Sequence, residues 1–461
     1  MHRFVLLMLV VATTFEYLSG GDTWGRFAVL PGPFKFVPEL LTAIVLIYLL
    51  AEGARSRFKD VRPAYWLLFG ATGVAMVAGV LTNGVEAGPI VAGLRTYVRG
   101  VPWFFVGAVA AFSLEEIAVQ LKAVLLIALL QVPLAIEQRI KTSEDVAGFV
   151  AITGDWTTGT LVTSGTLSIF IICVICVAAA CYERKFIRPW HFLLLFLFIL
   201  TPTMINETKV TLVLLPLGLL IGFIYAVEPG RRLKRVLVGT GLLLGFGAIF
   251  VPVYDSLQET RQYEVPIGDF FFGQNDKLER YVFTDSDVGA TGYVGRGDLI
   301  KVPVEKLAED PVRFVFGYGI GNVSQSSLGA NFGGRYGEIY SPFVKTTFAR
   351  VSLELGWLGV VLMLAMHWAI FKDCRDLSRR DTGLLSAVAA GWTAVTAVIV
   401  VSFIYTTTEL FPSLTYLYWY VSGLLVAENV RSLRGAQESA SLQSSAKASP
   451  RSPRLQGLAR G

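Results

Sequence analysis

A succession of apolar runs, each near the length that crosses a lipid bilayer, governs what this chain can fold into. A helix needs roughly 17 to 25 apolar residues to span the hydrocarbon, where every backbone polar group must be satisfied internally. Twelve runs are candidate spans: Phe4–Leu18, Val37–Ala51, Ala64–Leu81, Val101–Leu114, Val119–Ile136, Leu161–Cys181, Ile187–Ile205, Val210–Val227, Val236–Val253, Thr347–Phe371, Gly383–Tyr405 and Phe411–Ala427. The second and fourth are short. Composition agrees, since 54% of the 461 residues are hydrophobic and 16% are charged, against about 25% charged in a soluble domain. The expectation is an all-α integral membrane protein with about 12 transmembrane helices and no nucleic-acid partner.

Basic residues give the orientation, because short cytoplasmic loops carry the excess of Lys and Arg. Every second connection obliges: Arg55, Arg57, Lys59 and Arg62; Arg184, Lys185 and Arg188; Arg231, Arg232, Lys234 and Arg235; Lys372, Arg375, Arg379 and Arg380. The turn around Glu115 and Glu116, with only Lys122 nearby, is the exception. Both termini are therefore expected on the cytoplasmic side. The first run also has the basic start and apolar centre of a signal peptide, although no A-x-A-like site follows it.

Cysteine placement excludes a disulfide framework, since Cys173, Cys176 and Cys181 share one apolar run and Cys374 follows a later one. Cys173-x-x-Cys176 reads as small core residues rather than a metal site. The division that follows is helices 1–9 over residues 1–253, a large loop over 254–345, helices 10–12 over 346–428, and a basic tail over 429–461. Ser-, Ala- and Arg-rich composition makes that tail an expected disordered segment near anionic membrane lipids.

The loop at 254–345 is the chain's main asymmetry, and loops of that length within compact proteins are usually functional. In "RGDLIKVPVEKLAEDPVRFVFG", Leu299, Ile300, Val302, Val304 and Leu307 suggest a short helix lying on the membrane surface. Asp298 is expected to cap it, with Pro303 in or near its first turn. Gly317-Tyr318-Gly319-Ile320-Gly321 follows, but without the Lys-Ser/Thr of a nucleotide loop. Its glycines suit a tight turn back toward the membrane.

An Arg opening a surface helix, then a Pro, a G-[YF]-G-x-G turn and a stretch such as "FARVSLELGWLGVVLML" resembles the O-antigen ligase and O-antigen polymerase (Wzy/WaaL-like) superfamily. The motif-level likeness covers roughly residues 206–365. Twelve helices with a long loop after the ninth also match that family's GT-C-like architecture.

The resemblance implies an inner-membrane glycosyltransferase with no metal and no cofactor. Its donor would be an undecaprenyl-diphosphate-linked glycan at the periplasmic leaflet. The acceptor would be another glycan or a lipid A core sugar. It also implies that Arg296 is the family's loop arginine and a diphosphate ligand; spacing alone equally allows a solvated arginine. Lys209 stands where the family commonly has Ser-Arg, and supplies charge without a bidentate fork. A snorkelling interfacial lysine is the other reading.

A diphosphate leaving group calls for cations that tighten on it as the glycosidic bond breaks. Arg95, Arg99, Lys209, Arg261, Arg280, Arg296, Arg313, Arg335, Lys345 and Arg350 are the loop-side basics. Of these, Arg296, Lys209 and Lys345 are catalytic candidates, and Arg95, Arg99, Arg261 and Arg313, with Glu207, are substrate-binding candidates. Arg95 and Arg99, one turn apart with Tyr97 and Trp103 nearby, read equally as an interfacial anchor.

Family members carry His-Asn about eleven residues before the Gly of the E-x-G turn, and here that count reaches Lys345. The usual base is thus missing, which leaves Glu338, Glu207 or Glu354; Glu354 reads more simply as an i,i+4 partner of Arg350. Two other classes stay open. A transporter or flippase of lipid-linked glycans should show charges inside its spans. A non-catalytic assembly protein would not need basics gathered on one loop.

Overall fold

The apolar runs become helices because nothing else in them can satisfy the main chain away from water. The computed structural model describes residues 1–19, 29–53, 57–144, 157–206, 208–227, 230, 232–258, 267, 294–326, 328–380 and 382–448. Among the described residues the chain is all-helical, without strands. In order the helices are α1 (His2–Leu18), α2 (Val37–Gly53), α3 (Pro63–Asn83), α4 (Ala87–Val98), α5 (Val101–Val109), α6 (Leu114–Glu144), α7 (Ser164–Glu183), α8 (Pro189–Ile205), α9 (Thr211–Ala226) and α10 (Arg232–Gln258). After the loop come α11 (Asp298–Ala308), α12 (Pro311–Phe316), α13 (Gly337–Tyr340), α14 (Thr347–Arg380), α15 (Leu384–Ser402) and α16 (Pro412–Ala448).

Among the described residues, six segments are long and apolar enough to cross a membrane: Gly32–Ala51, Pro63–Asn83, Leu114–Ile140, Ser164–Glu183, Thr347–Arg380 and Leu384–Ser402. Two shorter apolar helices, α8 and α9, accompany them. The expected span at Val101–Leu114 shrinks to the nine residues of α5, about 14 Å of helix against about 30 Å of hydrocarbon. Gly100 separates it from α4, and a Cβ there would lie 2.3 Å from the Trp419 ring.

At the centre stands α7, buried along nearly its whole length and packed by α8, α9 and α15. Close approach requires small residues, as expected where lipid supplies no hydrophobic drive between helices. A Cβ on Gly391 of α15 would lie 2.6 Å from the Val177 Cα. The α5–α16 contact is tighter still, for Gly423 would meet the Phe104 carbonyl and Gly107 the Tyr420 carbonyl. All four cysteines are free and buried in this packing.

Polar clamps close the end of the bundle opposite the loop. Asp373 of α14 accepts from Tyr65 of α3 and Asn429 of α16, each at 2.8 Å, and pairs with Arg62 at 2.6 Å. Asp60 holds Arg431 at 2.9 Å and Arg434 at 2.5 Å. These pairs pin α16 past residue 428, and the helix continues to Ala448, where a structureless tail was expected. Residues 449–461 lie outside the described residues.

Candidate functional site

The glycine turn of the loop is built to be gripped by main chain. Gly317, Gly319 and Gly321 all have positive φ, at 68°, 88° and 72°. In α14, Gly356 (φ 67°, ψ −169°) breaks the helical path and leaves the carbonyls of Leu353 and Glu354 free to accept. The Tyr318 amide donates to the Leu353 carbonyl at 2.7 Å, and the Gly319 amide to the Glu354 carbonyl at 3.0 Å. Asn83 at the end of α3 donates to the Gly317 carbonyl at 3.0 Å. With Gly317 N donating to the Arg313 carbonyl at 2.7 Å, three of the turn's amides are thus spent on the protein itself. The turn is a dock that fixes the loop to α3 and α14.

Docking positions the segment just before it. Leu299, Pro303 and Leu307 form an i, i+4, i+8 stripe buried toward the bundle, while Ile300 and Val304 stay exposed on the other side of α11. The helix starts at Asp298 itself, after a Gly297 N-cap that makes no side-chain bond, so the expected Asp298 cap does not form. Pro303 falls in the second turn rather than the first.

Arg296 immediately precedes α11 and is half-buried. Its Nη1 donates to the Tyr405 carbonyl at 3.1 Å, and its guanidinium lies 5.1 Å from the centre of the Tyr405 ring. Desolvation, and then the Arg296 charge, pull the Lys345 ammonium below the usual lysine value. The base of α14 holds the Tyr405 region in place, with Thr347 N donating to Thr406 O at 3.0 Å and Phe348 N to Phe403 O at 2.9 Å.

Lys209 lies in the turn before α9. A Cβ on Gly165, near the start of α7, would lie 3.7 Å from Tyr405. Asn206 donates to Ser168 at 2.9 Å and accepts from the Thr208 amide at 3.1 Å, which ties the turn before α9 to α7.

The other candidates have structural employment or stand apart. Arg95 pairs with Glu39 at 2.7 Å. Buried Arg99 lies 3.8 Å from the same carboxylate and donates to the Glu409 carbonyl at 2.6 Å. Arg313 lies 4.7 Å from the Tyr318 ring centre and 5.7 Å from that of Tyr336. Glu338 is exposed on the one-turn α13. Arg261, Arg280 and Glu207 lie outside the described residues.

Sequence reasoning missed a buried polar cluster on the inner side of the α14 start. Arg350 and Glu354 make no direct pair; Ser324 sits between them, accepting from Arg350 Nη1 at 2.9 Å and donating to Glu354 Oε1. Arg350 Nε lies 3.6 Å from Glu409 Oε1, whose other oxygen accepts from the Thr347 hydroxyl. Burial raises the Glu409 carboxyl above its ordinary value against the opposing pull of Arg350.

Glu409, Tyr97, Thr347 and Thr408 form the polar end of a groove of about 240 Å³. The remainder is apolar, walled by Phe69 and Met76 of α3, Val351 and Leu355 of α14 and Trp419 of α16. His367 lies deeper along it, with Nδ1 donating to the Met363 carbonyl at 2.8 Å. No family model matches the chain, and no curated protein matches it.

Proposed function

We propose that this chain is a membrane glycosyltransferase that moves lipid-diphosphate-linked glycan onto a sugar hydroxyl, as in the O-antigen ligase and polymerase superfamily. The observation that carries the reading is the placement of Arg296, held on the Tyr405 carbonyl beside Thr406, which the Thr347 amide at the polar end of an apolar groove grips, with Lys345 two residues before Thr347. A polyprenyl tail is apolar along its length, and its diphosphate carries the charge that cations near the groove's polar end attract. The groove along α3 and α14 takes the tail; Arg296 and Lys345 take the diphosphate.

In this account the acceptor oxygen attacks the anomeric carbon, and the bond to the diphosphate breaks with its electron pair leaving on phosphate. The guanidinium and ammonium strengthen their hold as that charge develops, which lowers the barrier. Each charge-assisted bond contributes about 1.5 to 3 kcal/mol. The basic connections at the opposite end support a periplasmic placement of the loop. Twelve spans in a GT-C-like arrangement and a repeat-unit polymerase activity complete the reading.

Replacement of Arg296 by Ala in cells is expected to shorten the polymer and to build up the lipid-linked precursor. Normal polymer without precursor accumulation refutes the transferase reading.

A further inference from the structure

We infer that Glu409 is the proton acceptor for the attacking sugar hydroxyl, an assignment that rests on the transferase reading above. Family-like histidine is missing at the Lys345 position, so the hydroxyl needs another base. Three features select Glu409 from the acidic residues at this end of the bundle.

The first is access. Glu409 lines the polar end of the groove, whereas Glu354 is 1% exposed and Glu338 projects from α13 at the surface. The second is an open valence. Thr347 holds one carboxylate oxygen, while Oε1 is buried with the Arg350 Nε at 3.6 Å, beyond hydrogen-bond reach, and accepts no hydrogen bond from any described group. A buried carboxylate oxygen without a donor costs free energy unless something arrives to supply one, and a sugar hydroxyl is such a donor.

The third feature is fixation. Arg99 holds the Glu409 carbonyl at 2.6 Å, and Thr408 N donates to the Thr347 hydroxyl at 3.0 Å. The carboxylate is therefore positioned before substrate enters. Glu409 follows Tyr405, the residue that carries Arg296, by four positions, and four extended residues reach at most roughly 14 Å. One glycosyl diphosphate with its attacking sugar can touch both groups.

The step balances. As the acceptor oxygen bonds to the anomeric carbon, its proton passes to Glu409 Oε1, and the diphosphate departs with the electron pair toward Arg296 and Lys345. The neutral carboxyl then returns the proton to water when product leaves. The groups facing this carboxylate are Arg350, which favours its charged form, and Glu354 and desolvation, which oppose it; Tyr97 faces Glu354, Arg350 and Glu409 from α4. Transfer should accordingly fall as pH drops through a value above the ordinary glutamate range near about 4.3.

The test uses the full chain in proteoliposomes with an undecaprenyl-diphosphate-linked glycan as donor. Glu409→Gln is expected to lower turnover by about 10² to 10⁴-fold, to leave donor affinity within about threefold, and to remove the acid limb of the pH–rate profile; Glu409→Asp recovers part of the rate. Wild-type transfer with Glu409→Gln within about fivefold overturns the assignment and leaves the transferase reading standing. Absence of transfer by wild type overturns the transferase reading and this assignment with it. Should Glu409→Gln fail to fold, the wild-type profile decides, because a rate that does not fall on the acid side refutes a carboxylate base.

Discussion

Gly356→Ala isolates the dock between the glycine turn and α14. At φ 67° and ψ −169° an L side chain is strained, at roughly 1 to 3 kcal/mol. The added Cβ would lie 2.3 Å from the Val315 carbonyl oxygen and 2.6 Å from the Gly317 nitrogen, too close to be absorbed without moving the turn. Moving it sacrifices the Tyr318–Leu353 and Gly319–Glu354 bonds, at about 1 kcal/mol each. Strain and lost bonds together come to about 4 kcal/mol, or about a thousandfold in the local opening equilibrium. Amide hydrogen exchange over residues 314–322 in nanodiscs reads this directly. Gly70→Ala in α3 is the control, since its Cβ meets nothing within 4 Å. Exchange in Gly356→Ala within about threefold of wild type, or an equal effect in the control, refutes the docking argument.

Arg313→Ala is expected to lower the melting temperature through loss of its contacts with Tyr318 and Tyr336, worth about 0.5 to 2 kcal/mol, with turnover within about threefold of wild type. Glu338→Gln should leave the transfer rate within about twofold, because the side chain is exposed on α13. Lys345 is depressed, so its charge is disfavoured by folding; Lys345→Met should be at least as stable as wild type at pH 7, by thermal melting. The same depression predicts that donor affinity falls with rising pH through a value below the ordinary lysine range near about 10.4, a basic limb that Lys345→Met abolishes.

What was legible in the sequence was what repeats locally. Uniform apolar runs identified α7 and α15 as long apolar helices, and apolar spacing identified α11. The Val101–Leu114 run misled because hydropathy does not register where the main chain leaves the helix: Ala110, at ψ 122°, ends α5 inside the run. The tail misled through its polarity; Ala, Glu, Gln and Leu are good helix formers, and the Asp60 pairs extend a helix already begun.

The site was legible only as a set of cations. Arg296 and Lys345 were named from motif position, and the Arg296 charge acts on the Lys345 ammonium. Ser324 and Glu409 were not, because their partners stand 26 and 62 positions away in sequence, and only the α14 start unites them. One signal was available for Glu409: a carboxylate ending "YTTTE" between two apolar runs, at the end where loop-side basics gather.

The most direct measurement is transfer from a radiolabelled undecaprenyl-diphosphate-linked glycan by the purified full chain in metal-free proteoliposomes. The account predicts one undecaprenyl diphosphate released per glycosidic bond formed by wild type. It predicts a loss of about 10- to 150-fold in Arg296→Ala, from one charge-assisted contact of about 1.5 to 3 kcal/mol. Wild-type membranes that release no undecaprenyl diphosphate, or an Arg296→Ala variant that turns over at the wild-type rate, would contradict it.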